Sequence, residues 1–387
     1  MLIPREIEKE FIYSLIFDDH KRFEEIISRN EINYKRVLSI ISFNRIEYFV
    51  INKLNSSFKT YVLPQNFFKE LEKKYLTKSI TTLKNMEKIF LLSKKLTESD
   101  IEHIFLKGIS LYDQKRMCIR PMRDIDILVN PEDILSVVKL AKGLEFKFIN
   151  KETDISETYL NNSSFYDLPL MVDHNEVFLE IHYRITTNNK NCFLKDNLFE
   201  SKRIIKIHEN DLCLPSFNSL FMHLVYHGSK KGNFNVGLSV LTDLLLLFEK
   251  VDKDEVLKIS EPLKLKKISE LFFELIEFSK NKNLILSKNS EKLKEILIFP
   301  PLNSIITEIF MQESLWKMFV KLNGVFFVSQ THLYRQFGLK KNFLERFYLF
   351  RRWISQIKRL FLTIFFVLRN LNPIIQRSKI IKNIYNK

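Results

Sequence analysis

The chain has 387 residues and a formal net charge of +15. With 45% apolar residues it can bury a sizeable core and more than one domain, which excludes a disordered chain. Its three cysteines, Cys118, Cys192 and Cys213, are too far apart for a metal motif or a disulfide framework, in keeping with a reducing cytoplasm.

The start, MLIPREIEKEF, has no basic segment followed by an apolar run, so no signal peptide is expected. Residues 1–60 read as short helices, with Phe11, Leu15 and Ile16 at helical spacing. A long helix is expected from about Gln65, opened by Pro64 and closed near Ser99 and Asp100. IEHIFLKG then reads as a strand ending at Gly108, ISLYDQKRM as a short helix, and MRDIDILV as a second strand. Pro131 opens the next helix, PEDILSVVKLAKGL, where its missing N–H costs nothing. SSFYDLPLMV and VFLEIHYRI read as two strands joined by the turn DHNE. From Pro215 the pattern is helical again.

This order argues for a mixed α and β core flanked by helical regions. The expected divisions are an N-terminal helical region (1–64), an α/β core (65–214), a helical domain (215–330) and a basic amphipathic tail (331–387). The tail carries thirteen Lys and Arg against the single acid Glu345, a net +12, which leaves +3 for the rest of the chain. Basicity therefore belongs to the tail, and nothing in the charge points to a nucleic-acid groove in the core. Within 340–387, Arg351, Arg352, Lys358, Arg359 and Arg369 border aliphatic and aromatic residues, and the apolar run Leu360 to Leu368 is too short to span a bilayer. Two readings fit: peripheral contact with an anionic membrane, or a helix packed on the body with its basic face wet.

The chemistry concentrates in RPMRDIDILV. On a strand, Asp124 and Asp126 share one face, roughly 6.5–7 Å apart along the backbone. Two carboxylates on an apolar strand repel and lose hydration, which a hard divalent cation relieves. Glu180, in VFLEIHYRI, is a third acid flanked by apolar residues. Three carboxylates on neighbouring strands suit metal-assisted phosphoryl transfer. Upstream, Gly108 stands between a strand and a helix, where backbone N–H groups can hold phosphates. Lys107, Ser110, Arg120 and Arg123 add positive charge or donors nearby.

The succession of strand, LKG, helix, RPMRDIDILV, helix and LEIHYRI resembles the nucleotidyltransferases of the DNA polymerase β superfamily. The closest likeness is to the bacterial family of uncharacterised nucleotidyltransferases, over about residues 100 to 250. The resemblance implies an α+β fold with a nucleotidyltransferase-type mixed sheet. It also implies metal held by Asp124, Asp126 and Glu180, with Gly108 at the glycine motif. That motif usually reads Gly-Ser or Gly-Gly; here it is Lys107-Gly108-Ile109-Ser110, with Ser110 as the substitute hydroxyl.

His182 shares the face of Glu180, as a support for the acids, a substrate contact or a satisfied core histidine. His223 and His227 have zinc-like spacing, but HLVYH lacks the glutamate of a metalloprotease motif and no third ligand is evident. The resemblance gives His227 and Asp243 another use, touching the nucleotide or tying helices together. Asp243 lies in the very apolar LTDLLLL and is expected to have a partner.

The expected function is a cytoplasmic, Mg²⁺-dependent nucleotidyltransferase, with Mn²⁺ as a substitute ion. It would move an NMP group from an NTP to an unidentified hydroxyl acceptor. The alternative is a protein of the same fold that binds a nucleotide or a partner without turnover, held at the inner face of the membrane by its tail.

Overall fold

The computed structural model describes residues 4–29, 31–111, 120–149, 166–185, 193–207, 209–231, 234, 236–298, 381 and 384. Four short helices open the chain: α1 (Glu6–Ile16), α2 (His20–Ser28), α3 (Tyr34–Asn44) and α4 (Glu47–Asn55). Asp19 and Asn33 cap α2 and α3, their side chains accepting from the backbone N–H groups of Arg22 and Arg36. Helix α5 (Gln65–Glu98) follows Pro64 and runs for 34 residues, about 50 Å at 1.5 Å per residue.

Helix α5 serves two cores. Its first turns place Phe67 and Leu71 among the N-terminal helices, and Met86, Ile89, Leu92 and Leu96 pack beneath the sheet. The sheet holds β1 (His103–Phe105), β2 (Asp124–Val129), β3 (Lys147–Phe148), β4 (Met171–Val172) and β5 (Phe178–His182). The strand order is β1-β2-β5-β4-β3. Only β2 and β5 run parallel; the other neighbours are antiparallel. Helix α6 (Ile134–Gly143) continues a 3-10 turn, Pro131–Asp133, and covers the same face as α5. A separate hairpin, β6 (Arg203–Ile207) and β7 (Asn210–Leu214), packs beside β1 and α5.

Helices α7 (Phe193–Glu200), α8 (Phe217–Tyr226), α9 (Leu238–Leu247), α10 (Lys253–Ser260), α11 (Lys266–Lys280) and α12 (Lys288–Ile298) complete the described chain. The later helices share one hydrophobic core with α1–α4, so the helices flanking the sheet in sequence meet in space. Asn44 makes one such join, its Oδ1 accepting from Leu238 N–H at 2.8 Å at the start of α9. Gly237 precedes that N–H with a φ of 65°, and a Cβ there would lie 2.1 Å from Asn44 Oδ1, so only glycine fits. The fold is thus α+β, with a mixed five-stranded sheet and twelve α-helices among the described residues.

Three differences from the sequence reading have local causes. Of SSFYDLPLMV, residues 163–165 lie outside the described residues, and the rest pairs only at Met171–Val172 and in an isolated bridge between Asp167 and His182, with Pro169 between them unable to donate to a ladder. β6 and β7 escape the pattern search because β6 leaves Ile204 65% exposed, which breaks apolar alternation. The helix expected over ISLYDQKRM is a 3-10 turn at Lys107–Leu111, and 112–119 lie outside the described residues. The tail also lies outside them, apart from Ile381 and Ile384, which are buried in the helical core. No helix of the described residues is long and apolar enough to cross a membrane.

Candidate metal and nucleotide site

Alternation along β2 and β5 builds the site. Ile125, Ile127, Val129, Leu179 and Ile181 turn to one face and pack against α5 and α6. Asp124, Asp126, Glu180 and His182 therefore share the other. The parallel register sets Asp126 beside Glu180 and Leu128 beside His182. Leu128 is buried in the helical core, so this face is covered at its far end and opens near Asp124. The opening is a cleft of about 840 Å³, lined from α3, α5, the Lys107–Gly108 turn, residues 120–126, β5, α8 and α9.

Asp126 is 3% exposed. Its Oδ1 accepts from the Lys107 ammonium and from His182 Nε2 at 3.0 Å. The same Nε2 lies 3.4 Å from Glu180 Oε2. One ligand-type atom each from Asp126, Glu180 and His182 falls within 4.8 Å of the others. Asp124 is half-buried at the mouth.

The two aspartates differ electrostatically. Burial opposes the charged form of Asp126, but the Lys107 ammonium and the His182 hydrogen bond outweigh it and hold the carboxyl well below its usual range. Burial and the neighbouring Asp126 charge push Asp124 up. The hydrogen bond from His182 brings Glu180 down despite its burial. Burial works against charged His182, yet its hydrogen bonds to Asp126 and Glu180 raise it above the ordinary imidazole value.

The sign for His182 follows from linkage. A raised folded value gives stabilisation that is complete below the unfolded value of about 6.5 and is lost as pH rises through the folded one. We expect the melting-temperature gap between wild type and His182→Gln to shrink between about pH 6 and pH 9. A gap constant over that range would show that His182 carries no titrating charge.

Lys107 reaches Asp126 from left-handed backbone, φ 53°, which few non-glycine residues adopt. Gly108 lines the cleft next to it, and a Cβ there would sit 2.3 Å from Met122 Cγ, so the close approach of Met122 requires glycine. Ser110 is 1% exposed and its hydroxyl donates to the Phe105 carbonyl at 2.7 Å. The 3-10 turn thus directs that hydroxyl back to β1 and away from the cleft expected from the sequence.

Arg120, Arg123, His227 and Asp243 line the cleft wall. Arg120 Nε donates to Asp243 Oδ1 at 2.7 Å, and Tyr48 OH donates to the same oxygen at 2.9 Å. Asp243 therefore has the partners its apolar helix demanded. His227 begins the π-helical turn after α8, its ring centroid 6.3 Å from that of His223. Arg123 is exposed.

Sequence reasoning missed Tyr48, Arg45, Lys78, Lys84 and Tyr166. The ring of Tyr166 stacks on His182, centroids 6.0 Å apart. Lys78, Thr81 and Lys84 carried a usable signal, because residues three apart on α5 form one polar face. Arg45, at the end of α3, carried none.

A family model described as uncharacterised nucleotidyltransferase matches residues 30–277, which is well over half of the chain. The match runs beyond the 100–250 of the sequence resemblance and encloses every residue lining the cleft. Among proteins of curated function, none matches the chain.

Proposed function

Because the chain belongs to the uncharacterised nucleotidyltransferase family, we propose that it is a metal-dependent enzyme moving an NMP group from an NTP to a hydroxyl acceptor. The observation that carries this reading is the in-register pair Asp126 and Glu180, with Asp124 two residues earlier, on the one strand face that opens to the cleft.

The donor set fits a divalent cation: the carboxylates share one face, and ligand atoms of Asp126, Glu180 and His182 lie within 4.8 Å of one another, with Asp124 outside that cluster. Asp124, Asp126 and Glu180 would hold it. Oxygen ligands suit Mg²⁺, and the imidazole of His182 in the same cluster would also admit Mn²⁺. When bound, the metal would neutralise charge building on the transferring phosphoryl group. His182 fixes the orientation of Asp126 and Glu180 through its shared Nε2. Lys107 and the backbone at Gly108 would hold the triphosphate, and Glu180 would complete the metal site or take the acceptor's proton.

One observation favours a second reading. The Lys107 ammonium already rests on Asp126, an in-chain cation at the carboxylate cluster. A protein that binds nucleotide without turnover would keep this pair. Incubation with each labelled NTP and Mg²⁺, using extract fractions as acceptors, separates the two. The first reading expects transfer of label with release of pyrophosphate. Mg²⁺ with NTP should also raise the melting temperature of the wild type. A nucleotide-induced rise with no transfer for any NTP would establish the second, and no rise at all would remove both.

A further inference from the structure

The Lys107 ammonium rests on a carboxylate that the proposed metal also needs. Among the described residues, Asp126 Oδ1 accepts from two donors, Lys107 Nζ and His182 Nε2. A carboxylate oxygen offers about two lone-pair sites, so these donors fill that oxygen. A hard divalent cation binds a carboxylate through the same lone pairs. An ammonium and a divalent cation on one buried carboxylate also repel each other, with little screening by water or salt. Lys107 and a metal ion therefore compete for Asp126.

The two donors are held differently. His182 belongs to β5, is 3% exposed, stacks on Tyr166 and also faces Glu180. Lys107 belongs to the 3-10 turn on the cleft wall, and 18% of its side chain is exposed against 2% for Asp126. Its ammonium thus reaches the carboxylate from the open side, on a flexible aliphatic stem that can swing away with the backbone in place. A triphosphate entering the cleft offers that ammonium an anion of higher charge. Resting on the nucleotidyltransferase reading above, we propose that the Lys107–Asp126 pair is an autoinhibitory contact. It holds divalent cations off the carboxylates until an NTP draws the ammonium away, so that metal and NTP seat together. Metal alone or NTP alone must break the pair, and whichever binds first removes that cost for the other. The same swing brings Lys107 from Asp126 to the triphosphate that it would hold.

The test uses full-length protein and Mn²⁺ as the probe, its free concentration read by electron paramagnetic resonance. With no nucleotide present, Lys107→Met should bind Mn²⁺ about tenfold more tightly than the wild type, because the competing charge is gone and the carboxylates remain. Lys107→Gln, which keeps a hydrogen-bond donor for Asp126 without the charge, should also bind it more tightly. Lys107→Arg keeps the charge and should bind it no more tightly than the wild type. A non-hydrolysable NTP should tighten Mn²⁺ binding by a smaller factor in Lys107→Met than in the wild type, since no pair is left to break. Unchanged or weaker Mn²⁺ binding in the folded neutral variants would leave Lys107 a support for Asp126 or a phosphate ligand only, and overturns the proposal. If neither neutral variant folds, the ammonium is a structural counter-charge that cannot leave, which overturns it as well. Transfer of label from an NTP, with Mn²⁺ affinity indifferent to Lys107→Met, sinks the autoinhibitory contact and spares the nucleotidyltransferase reading. Tighter Mn²⁺ binding in the neutral variants, with no NTP bound by any form of the protein, upholds the competition for Asp126 and sinks that reading instead.

Discussion

Asp126→Asn is expected to lose both stability and function, while Asp124→Asn loses function alone. From the sequence, either change relieves repulsion between two carboxylates and leaves a sound fold. The structure separates them. Asp126 is buried against the Lys107 ammonium and His182 Nε2. Neutralising it leaves a largely buried ammonium without its counter-charge, a loss of about 3–5 kcal/mol. Asp124 sits at the mouth with its carboxyl pushed up by burial and by Asp126, so its neutral replacement relieves strain.

The pH dependence follows the same signs. The depressed value of Asp126 makes its contribution complete above the unfolded value of about 3.9, and it fades as pH falls through the folded one. The Asp126→Asn deficit should therefore be full at neutral pH and vanish only in acid. Asp124 runs the other way, since ionising it as pH rises costs stability. Both variants should reduce Mg²⁺-dependent transfer on the order of 10³-fold, because each removes a carboxylate from the proposed metal site. Melting curves and single-turnover transfer measured on the same samples check the pair. Equal melting temperatures for Asp124→Asn and Asp126→Asn would show that the Lys107 pair contributes nothing.

The carboxylates were legible because a strand's period is local: Asp124, Asp126 and Glu180 each lie between apolar neighbours, and alternation alone fixes their shared face. The long helix was legible through its punctuation, Pro64 at one end and a break near Asp100 at the other. What was not legible depends on contacts distant in sequence. Nothing local to Lys107 says that it will reach Asp126, since that needs left-handed backbone at residue 107 and antiparallel pairing of β1 with β2. Ser110 looked like a phosphate ligand until the 3-10 turn directed its hydroxyl to Phe105. Arg45 enters the cleft only because α3 shares a core with helices almost 200 residues later, through joins such as Asn44 to Leu238. The weak strands β3, β4 and β6 are short or half-exposed, and tertiary pairing decides them over propensity.

Asp243→Ala is expected to be the most damaging change outside the carboxylate face. Asp243 is 2% exposed on α9, and its Oδ1 accepts from both Arg120 Nε and Tyr48 OH. One carboxylate oxygen thus ties together an N-terminal helix, the loop that leads into β2, and a helix of the C-terminal half. Burial opposes the charge of Arg120, and the Asp243 carboxylate more than restores it, leaving the guanidinium more firmly protonated than usual. Removing the carboxylate strands that charge and leaves the buried Tyr48 hydroxyl, among the described residues, with only Thr242, 3.3 Å away. The expected loss of about 3–5 kcal/mol corresponds to a fall of roughly 4–6 °C in melting temperature for a chain of this length. Because Arg120 lies four residues before Asp124, the loop should shift and weaken nucleotide binding as well. Packing can be separated from charge by combining Arg120→Met with Asp243→Leu, which removes both charges and should recover part of the lost stability. If Asp243→Ala melts like the wild type and binds Mg²⁺ and NTP equally well, the tie between the two helical regions is not what holds the mouth of the cleft in place.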